Sequence, residues 1–169
     1  MDNQQGTLNA YIAGLWDGEG SFSINQYKQK NNRINTRICI SVANTDRNII
    51  KTIVDFFTAN HIKFYIYMLD RRKSGRKIQY QIEITSYHSK LIFIGLVEKY
   101  LTKNKEYSRL LKRICEYKLE KYVDWKNGGC NAKNKSGFIV EEIENNFLEE
   151  YKKLRDASET TSRIPYKFR

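Results

Sequence analysis

The sequence predicts an α+β fold built on one open, antiparallel, four-stranded sheet. Along the chain, hydrophobic residues change repeatedly from the three- and four-residue spacing of a helix to the alternation of a strand. The predicted order is helix, two strands, helix, two strands and then further helices, which favours a single sheet covered by helices. For a chain of 169 residues we expect one domain over residues 1–156 and a flexible basic tail over 157–169.

The first predicted helix lies in the stretch LNAYIAGLWDGEG, with Thr7 as its candidate N-cap. Asp17 and Glu19 follow at its C-terminal end, where the helix dipole is negative, so a divalent cation would offset their repulsion. The apolar face consists of Leu8, Ile12, Leu15 and Trp16. Small residues leave the opposite side thin enough for a second backbone to approach closely, namely Ala10, Ala13, Gly14 and Gly18.

Four later stretches alternate between apolar and polar residues, which predicts strands with one buried face and one polar face. Phe64, Ile66 and Met68 are expected on the buried face of the third strand. A turn at Lys73-Ser74-Gly75 joins the third strand to the fourth. The four stretches are SFSINQYKQ, NTRICISVAN, KFYIYMLDRR and KIQYQIEIT.

Helical spacing also predicts four further helices. The helix between the two strand pairs runs to about Asn60, and either Thr45 or Asp46 is its N-cap. Ser136 is the expected cap of the last helix, and no periodicity is visible after Ala157. The two remaining helices are expected from near Ser89 to Leu101 and from about Lys105 to Tyr122.

Composition favours a nucleic-acid partner and a reducing environment. The chain has 30 basic and 19 acidic residues, a formal charge of +11 and a pI near 9.5. Its three cysteines are far apart in the sequence and form no Cys-x-x-Cys pair, so disulfides and structural zinc are not expected. Neither a membrane span nor a targeting leader is expected, which predicts an intracellular protein of a reducing compartment; an organelle and a prokaryotic cytoplasm are not distinguished.

The residues Ile12-Ala13-Gly14-Leu15-Trp16-Asp17-Gly18-Glu19-Gly20 resemble the LAGLIDADG motif of a family of homing endonucleases. Trp16, Gly18 and Glu19 depart from the letters of that motif, but Glu19 keeps a carboxylate at the position of the second acid. The predicted order of elements also matches the αββαββα core of this family. Over roughly residues 8 to 122, the resemblance implies a saddle-shaped sheet with additional C-terminal helices after it.

The family resemblance implies a metal-dependent hydrolysis of phosphodiester bonds. Carboxylates are the usual ligands of Mg²⁺, and Mn²⁺ or Ca²⁺ could occupy the same site. By resemblance, Glu19 is the metal ligand, helped by the carbonyl of Gly20. Asn44 falls where a polar residue orients water, and Lys103 falls where a lysine lies near the scissile phosphate, with Lys105 as its rival.

The polar face of the sheet is the predicted DNA-binding surface, because a two-stranded ribbon fits the major groove. Arg37 and Arg71 could read guanine, and Gln79 or Gln81 could read adenine. The full predicted set is Ser23, Asn25, Tyr27, Gln29, Arg37, Ser41, Tyr67, Arg71, Arg76, Gln79, Gln81, Glu83 and Lys105.

One copy of the acidic motif supplies one catalytic acid, whereas cutting both strands needs two, so the resemblance implies a homodimer. Its interface is expected at Leu8, Ile12, Ala13, Gly14, Leu15, Asp17 and Gly18. The expected activity is site-specific double-strand cleavage at a long, pseudo-palindromic DNA site by an intron-encoded enzyme, with no small-molecule substrate. The alternative is a DNA- or RNA-binding relative that has lost cleavage, such as an intron maturase or a regulator. Glu19 together with Lys103 favours the enzyme, because a binding protein needs neither.

Overall fold

The computed structural model describes residues 2–28, 34–70, 75, 77–126 and 136–162. Five α-helices, four strands and a short 3-10 helix occupy these ranges. In chain order they are α1 (Asp2–Gly18), β1 (Gly20–Lys28), β2 (Ile34–Asn44), α2 (Arg47–Ala59), β3 (Phe64–Leu69), β4 (Gln79–Ile84), α3 (Tyr87–Val97), the 3-10 helix (Glu98–Tyr100), α4 (Lys105–Lys126) and α5 (Ser136–Ser162). The predicted α+β fold is therefore confirmed.

The chain divides into two compact units, Met1–Tyr122 and Val123–Arg169. The first unit contains the whole sheet together with α1, α2, α3 and most of α4, and the second contains α5. The expectation of one domain over residues 1–156 stays a prediction.

The sheet has the strand order β1-β2-β4-β3, and each neighbouring pair is antiparallel. Ile24 pairs with Ile38, and Val42 pairs with Ile82. Because paired residues of an antiparallel sheet point to the same side, these apolar side chains line a common buried face. The predicted alternation of burial is confirmed in β1 and for most of β2, but not in β4, where Ile82, Glu83 and Ile84 are all buried. The odd-numbered residues of the four strands share the opposite face, which we call the polar sheet face.

Aromatic side chains join α1, α2 and α3 over the buried face of the sheet. Trp16 is fully buried, and its ring centroid lies 4.6 Å from that of Phe93 and 5.9 Å from that of Phe57. Phe93 in turn stacks on Phe22 of β1, and Phe57 contacts Phe64 of β3. This cluster fixes the C-terminal end of α1 over the sheet, since buried aromatic pairs dominate core energetics.

Several predicted boundaries need correction. Thr7 is not an N-cap, because α1 begins at Asp2 and Thr7 lies inside the helix. The helix expected from Ser89 begins at Tyr87, because Ser86 accepts a hydrogen bond from the backbone N–H of Ser89 and caps it. Of the two candidate N-caps of α2, Thr45 and Asp46, the N-cap is Asp46, because its side chain accepts a hydrogen bond from the backbone N–H of Asn48. The predicted tail is also helical as far as Ser162.

The predicted burial of β3 is wrong. Ile66 and Met68 are 46% and 63% exposed, although they point to the same side of the sheet as the buried Ile82. β3 is the edge strand, so its outer residues lack a neighbouring strand, and periodicity alone does not show which strand lies at an edge. At the adjoining turn, Gly75 has a φ of 74°, which favours glycine; Lys73 and Ser74 lie outside the described residues.

Within the described ranges, no helix is both long enough and apolar enough to cross a membrane.

Candidate active site

The C-terminal end of α1 is tied to a loop more than eighty residues later in the chain. One carboxylate oxygen of Asp17 accepts hydrogen bonds from the backbone N–H of Thr102 at 2.6 Å and from its hydroxyl at 2.7 Å. The other accepts from the backbone N–H of Asn104 at 2.8 Å. The Asn104 side-chain amide donates to the backbone carbonyl of Trp16, also at 2.8 Å. We call residues 102–104 the clamp loop.

This arrangement gives Asp17 a helix-end role within its own chain, whereas the family resemblance places it at the helix-pair interface. The carboxylate lies at the unfavourable end of α1, but the clamp loop leads directly into α4, so the same carboxylate lies at the N-terminal end of α4. A negative charge there is stabilised by the helix dipole and by unpaired backbone N–H groups. Asp17 therefore needs no cation to offset the dipole of α1, and its carboxylate is bound within its own chain.

The hydrogen bonds to Asp17 also change its pKa. Burial of the carboxylate would raise the pKa, but the hydrogen bonds from the backbone and hydroxyl of Thr102 and from the backbone of Asn104 and Lys103 outweigh this effect. The pKa of Asp17 is lowered from its usual value as a result.

Glu19 lies one residue beyond the end of α1 and contacts Asn44, the last residue of β2. The Asn44 side-chain amide donates to a carboxylate oxygen of Glu19 at 2.9 Å, while the carbonyl oxygen of the same side chain accepts from the backbone N–H of Asp46 at 2.8 Å. Glu19 is exposed and Asn44 is buried. Asn44 thus binds Glu19 through one hydrogen bond, while Glu19 stays exposed to solvent.

Gly20 is the first residue of β1 and packs on Trp16. A Cβ atom at this position would lie 2.5 Å from Trp16 Cδ1 and 2.7 Å from its Cα. Only glycine permits this approach, so the turn from α1 into β1 depends on it. The close approach places Glu19 immediately before the sheet.

The clamp loop brings Lys103 to the same end of α1. Lys103 is exposed and lies between Thr102 and Asn104, whose backbone N–H groups are bound to Asp17. Lys105, its predicted rival, is half-buried and begins α4. Glu19 with Asn44, and Asp17 with the clamp loop, are thus paired at the same end of α1.

The predicted DNA-binding residues are spread across the polar sheet face with different exposure. Asn25, Arg37 and Tyr67 are exposed. Ser41 and Glu83 pair directly across β2 and β4 but are only 8% exposed, so both have little surface for contact with bases. Ser23, Gln79 and Gln81 are half-buried. Predicted residues whose side chains lie outside the described part of the chain are Tyr27, Gln29, Arg71 and Arg76.

The predicted helix-pair interface needs a partial correction. Ile12 and Ala13 are fully buried in the core of their own chain, so they have no surface to offer a second copy. Asp17, as described above, is bound to the clamp loop. The accessible stripe of α1 instead consists of the exposed Thr7, Tyr11, Gly14 and Gly18 with the half-buried Leu8 and Leu15. Tyr11, which is 46% exposed, was not predicted.

A metal ion at this end of α1 would rely on Glu19 as its carboxylate ligand. In the described part of the chain, no group of three or more His, Cys, Asp or Glu side chains is arranged to hold a metal ion. Mg²⁺ is commonly held by one or two carboxylates together with substrate phosphates and water. The exposed Glu19, beside the amide of Asn44 and the backbone of Gly20, fits such an open site.

The sequence did not reveal the residues that hold the site together. Nothing in the sequence around Thr102 and Asn104 indicates a partner at Asp17. Away from this site, the sequence also gives little sign that Lys90 is only 4% exposed, with its ammonium group donating to the carbonyl of Thr85 at 3.1 Å. A lysine in the first turn of an apolar helix was the available signal.

The chain is similar to one protein family in sequence and to several solved structures in fold. A family model described as LAGLIDADG endonuclease matches residues 12–116. A structure of the homing endonuclease I-CvuI with DNA and Mg superposes with a TM-score of 0.57 at 15% identity, over 98% of this chain and 88% of that one. The archaeal intron-encoded homing endonuclease I-Vdi141I, complexed with DNA, gives a TM-score of 0.55 at 18% identity, over 95% and 88% of the two chains. No curated protein sequence matches.

The clamp gives a testable stability prediction. Because the pKa of Asp17 is lower in the folded chain, its contribution to folding is fully present above the unfolded-state pKa near 3.8 and is lost as the pH falls through the folded value. We expect Asp17→Asn to lower the free energy of unfolding at pH 7 by roughly 1–2 kcal/mol, at the low end for charged hydrogen bonds because the group is partly exposed. Urea denaturation between pH 7 and pH 3 measures this free energy. The difference in free energy of unfolding between Asp17→Asn and the wild type should decrease below about pH 4.

Asp55→Asn is the matched control, since Asp55 pairs with Lys51 on the exposed side of α2 and is 62% exposed. That variant should unfold almost like the wild type. A gap between Asp17→Asn and the wild type that stays constant with pH would contradict the role given to the carboxylate charge.

Proposed function

The chain belongs to the LAGLIDADG endonuclease family, and on that premise we propose that it is a Mg²⁺-dependent, site-specific homing endonuclease that cleaves double-stranded DNA as a homodimer. The observation that carries the proposal is that Glu19 with Asn44, and Asp17 with the clamp loop, are bound at the same end of α1. Intron homing is supported by likeness to an intron-encoded enzyme in the same fold. The alternative of a cleavage-deficient relative gains no support from the comparisons.

The chemistry follows from the three groups. Mg²⁺, when bound, would activate water and neutralise charge on the scissile phosphate. Glu19 would hold the ion through its exposed carboxylate, and Asn44 would keep that carboxylate in place through the amide hydrogen bond. Lys103 would lie beside the phosphate and stabilise the negative charge that develops there. We favour Lys103 over Lys105, because Lys103 is the more exposed and its loop is fixed to α1.

The polar sheet face is the proposed DNA-binding surface. β1 has nine residues and β2 has eleven, and at about 3.3 Å per residue a strand of this length spans roughly 30 Å. A ribbon of that length fits along the major groove, where side chains two residues apart face successive bases. The net charge of +11 supports attraction to the phosphate backbone.

The exposed stripe of α1 is the proposed dimer interface. A Cβ atom added at Gly14 or Gly18 would meet nothing within 4 Å in the chain, so neither glycine is required by packing within one copy. Two such helices could approach closely through these glycines and place two Glu19 carboxylates side by side. Each copy would then contribute one acid to the cleavage of two strands.

We also propose that the enzyme works in a reducing compartment. Cys39 and Cys115 are free thiols, and burial raises the pKa of Cys115 to about 12, which leaves that thiol unreactive. Two unpaired cysteines are typical of a protein that does not depend on disulfides.

We expect Glu19→Gln to abolish cleavage while target binding changes little, because the amide keeps the shape of the side chain and loses the charge that would hold the metal ion. Two measurements test this. Cleavage is followed on plasmid DNA that carries the target in the presence of Mg²⁺, and binding to the target is measured by fluorescence anisotropy. Glu120→Gln, an exposed acid on α4, is the control and should cleave normally. Full cleavage by Glu19→Gln would disprove the assignment of Glu19.

Gly14→Leu should disrupt the dimer, because the larger side chain forces the two helices apart. A displacement of about 1 Å in catalytic geometry can cost on the order of 100-fold in rate. Sedimentation velocity and double-strand cleavage are the measurements. Gly95→Leu is the matched control, since Gly95 also lies on a helix and faces open space. A wild-type particle with the mass of one chain that still makes double-strand breaks would exclude the dimer.

A further inference from the structure

An ion pair connects two strands of the polar sheet face. Arg37 of β2 donates from Nη2 to a carboxylate oxygen of Glu83 in β4 at 2.5 Å. In the sheet register Glu83 pairs with Ser41 of β2. Arg37 lies four residues before Ser41 in β2, so its side chain extends along the sheet to contact Glu83. The two partners differ strongly in exposure: the Arg37 side chain is 56% exposed, whereas that of Glu83 is 11% exposed.

Glu83 lies in a cavity of about 310 Å³ that is open to the polar sheet face. Its lining includes Arg37, Tyr65, Tyr67, Tyr87 and Lys90. The nearly buried Lys90 attracts Glu83 electrostatically, and its own pKa is lowered by burial. Glu83 thus forms an ion pair with the exposed Arg37 and is also attracted by the buried Lys90, and both interactions favour its ionised carboxylate at this position.

This geometry separates the roles of the two residues. Glu83 has too little exposed surface to contact a base itself, but its carboxylate holds one edge of the Arg37 guanidinium. Arg37 carries five N–H donors on a rigid planar fork, of which the observed hydrogen bond uses one at Nη2. An arginine held in one rotamer loses less conformational entropy on binding than a freely rotating one.

We propose that Glu83 is a positioning residue that orients Arg37 to read a guanine in the major groove. Guanine presents two acceptors there, O6 and N7, which match the arginine fork, whereas adenine presents a donor in place of O6. The inference rests on the proposed function and deepens it, because it specifies one base of the target. It also replaces the predicted direct contact between Glu83 and DNA with an indirect effect through Arg37.

The test selects bound sequences from a library of randomised double-stranded DNA with the full chain and its variants. We expect Arg37→Ala to reduce guanine enrichment at one position of each half-site by about tenfold and to leave the other positions unchanged. Glu83→Gln should reduce enrichment at the same position. The double variant should match Arg37→Ala alone, because a residue that acts only through Arg37 has nothing left to orient.

Glu98→Gln is the matched control, since it removes the charge from another Arg–Glu pair, that of Glu98 with Arg109 on the helices. Its base preferences should equal those of the wild type. Arg37→Lys changes an exposed side chain and does not threaten the fold; it keeps the charge but not the planar fork, so it should also lose the guanine preference.

Three results would overturn the inference while the proposed function stands. They are unchanged or stronger guanine enrichment in Glu83→Gln, unchanged enrichment in Arg37→Lys, and uniform weakening over all sequences in Arg37→Ala, which would mark a phosphate contact. A wild-type chain that selects no sequence would instead overturn the proposed function and this inference with it.

Discussion

The structure depends on one carboxylate shared between two helix ends. Asp17 closes α1 and at the same time binds the backbone N–H groups that precede α4. An acid at the C-terminal end of an isolated helix is unfavourable, but here the N-terminal dipole of a second helix compensates. Together with the hydrogen bond from the Asn104 amide to the Trp16 carbonyl, this contact holds residues 102–104 at the end of α1. The position of Lys103 therefore follows from the hydrogen bonds of its neighbours Thr102 and Asn104 rather than from its own side chain.

Packing and hydrogen bonding also determine the position of Glu19. Gly20 permits the approach of β1 to Trp16, and Trp16 is anchored among Phe57 and Phe93. The buried Asn44 then fixes the Glu19 carboxylate from the end of β2. The hydrophobic core thus determines where Glu19 lies, so a shift in the packing of Trp16 would displace the Glu19 carboxylate. The two acids of the motif have separate roles, one holding the fold together and one facing solvent.

Much of the fold could be predicted because periodicity is a local property. The alternation of Ile38, Ile40 and Val42 predicts β2 and its buried face, and the N-cap at Asp46 lies within the two residues considered. The exposed Ile66 and Met68 could not be predicted, since strand order is a long-range property. The same limit applies to the site. A family motif makes Glu19 the candidate metal ligand, but the pairing of Glu83 with Arg37 exists only once β2 and β4 are neighbours.

Affinity cleavage locates a bound metal ion and so tests the proposal that Glu19 holds the ion at the end of α1 where Asn44 and the clamp loop also lie. Fe²⁺ replaces Mg²⁺ in the DNA complex, ascorbate and peroxide generate hydroxyl radicals at the bound ion, and mass spectrometry maps the cuts in the protein backbone. We expect cuts close to Glu19, close to Asn44 and within the clamp loop, and the loss of all of them in Glu19→Gln. Cuts confined to other segments, or cuts that persist in that variant, would contradict it.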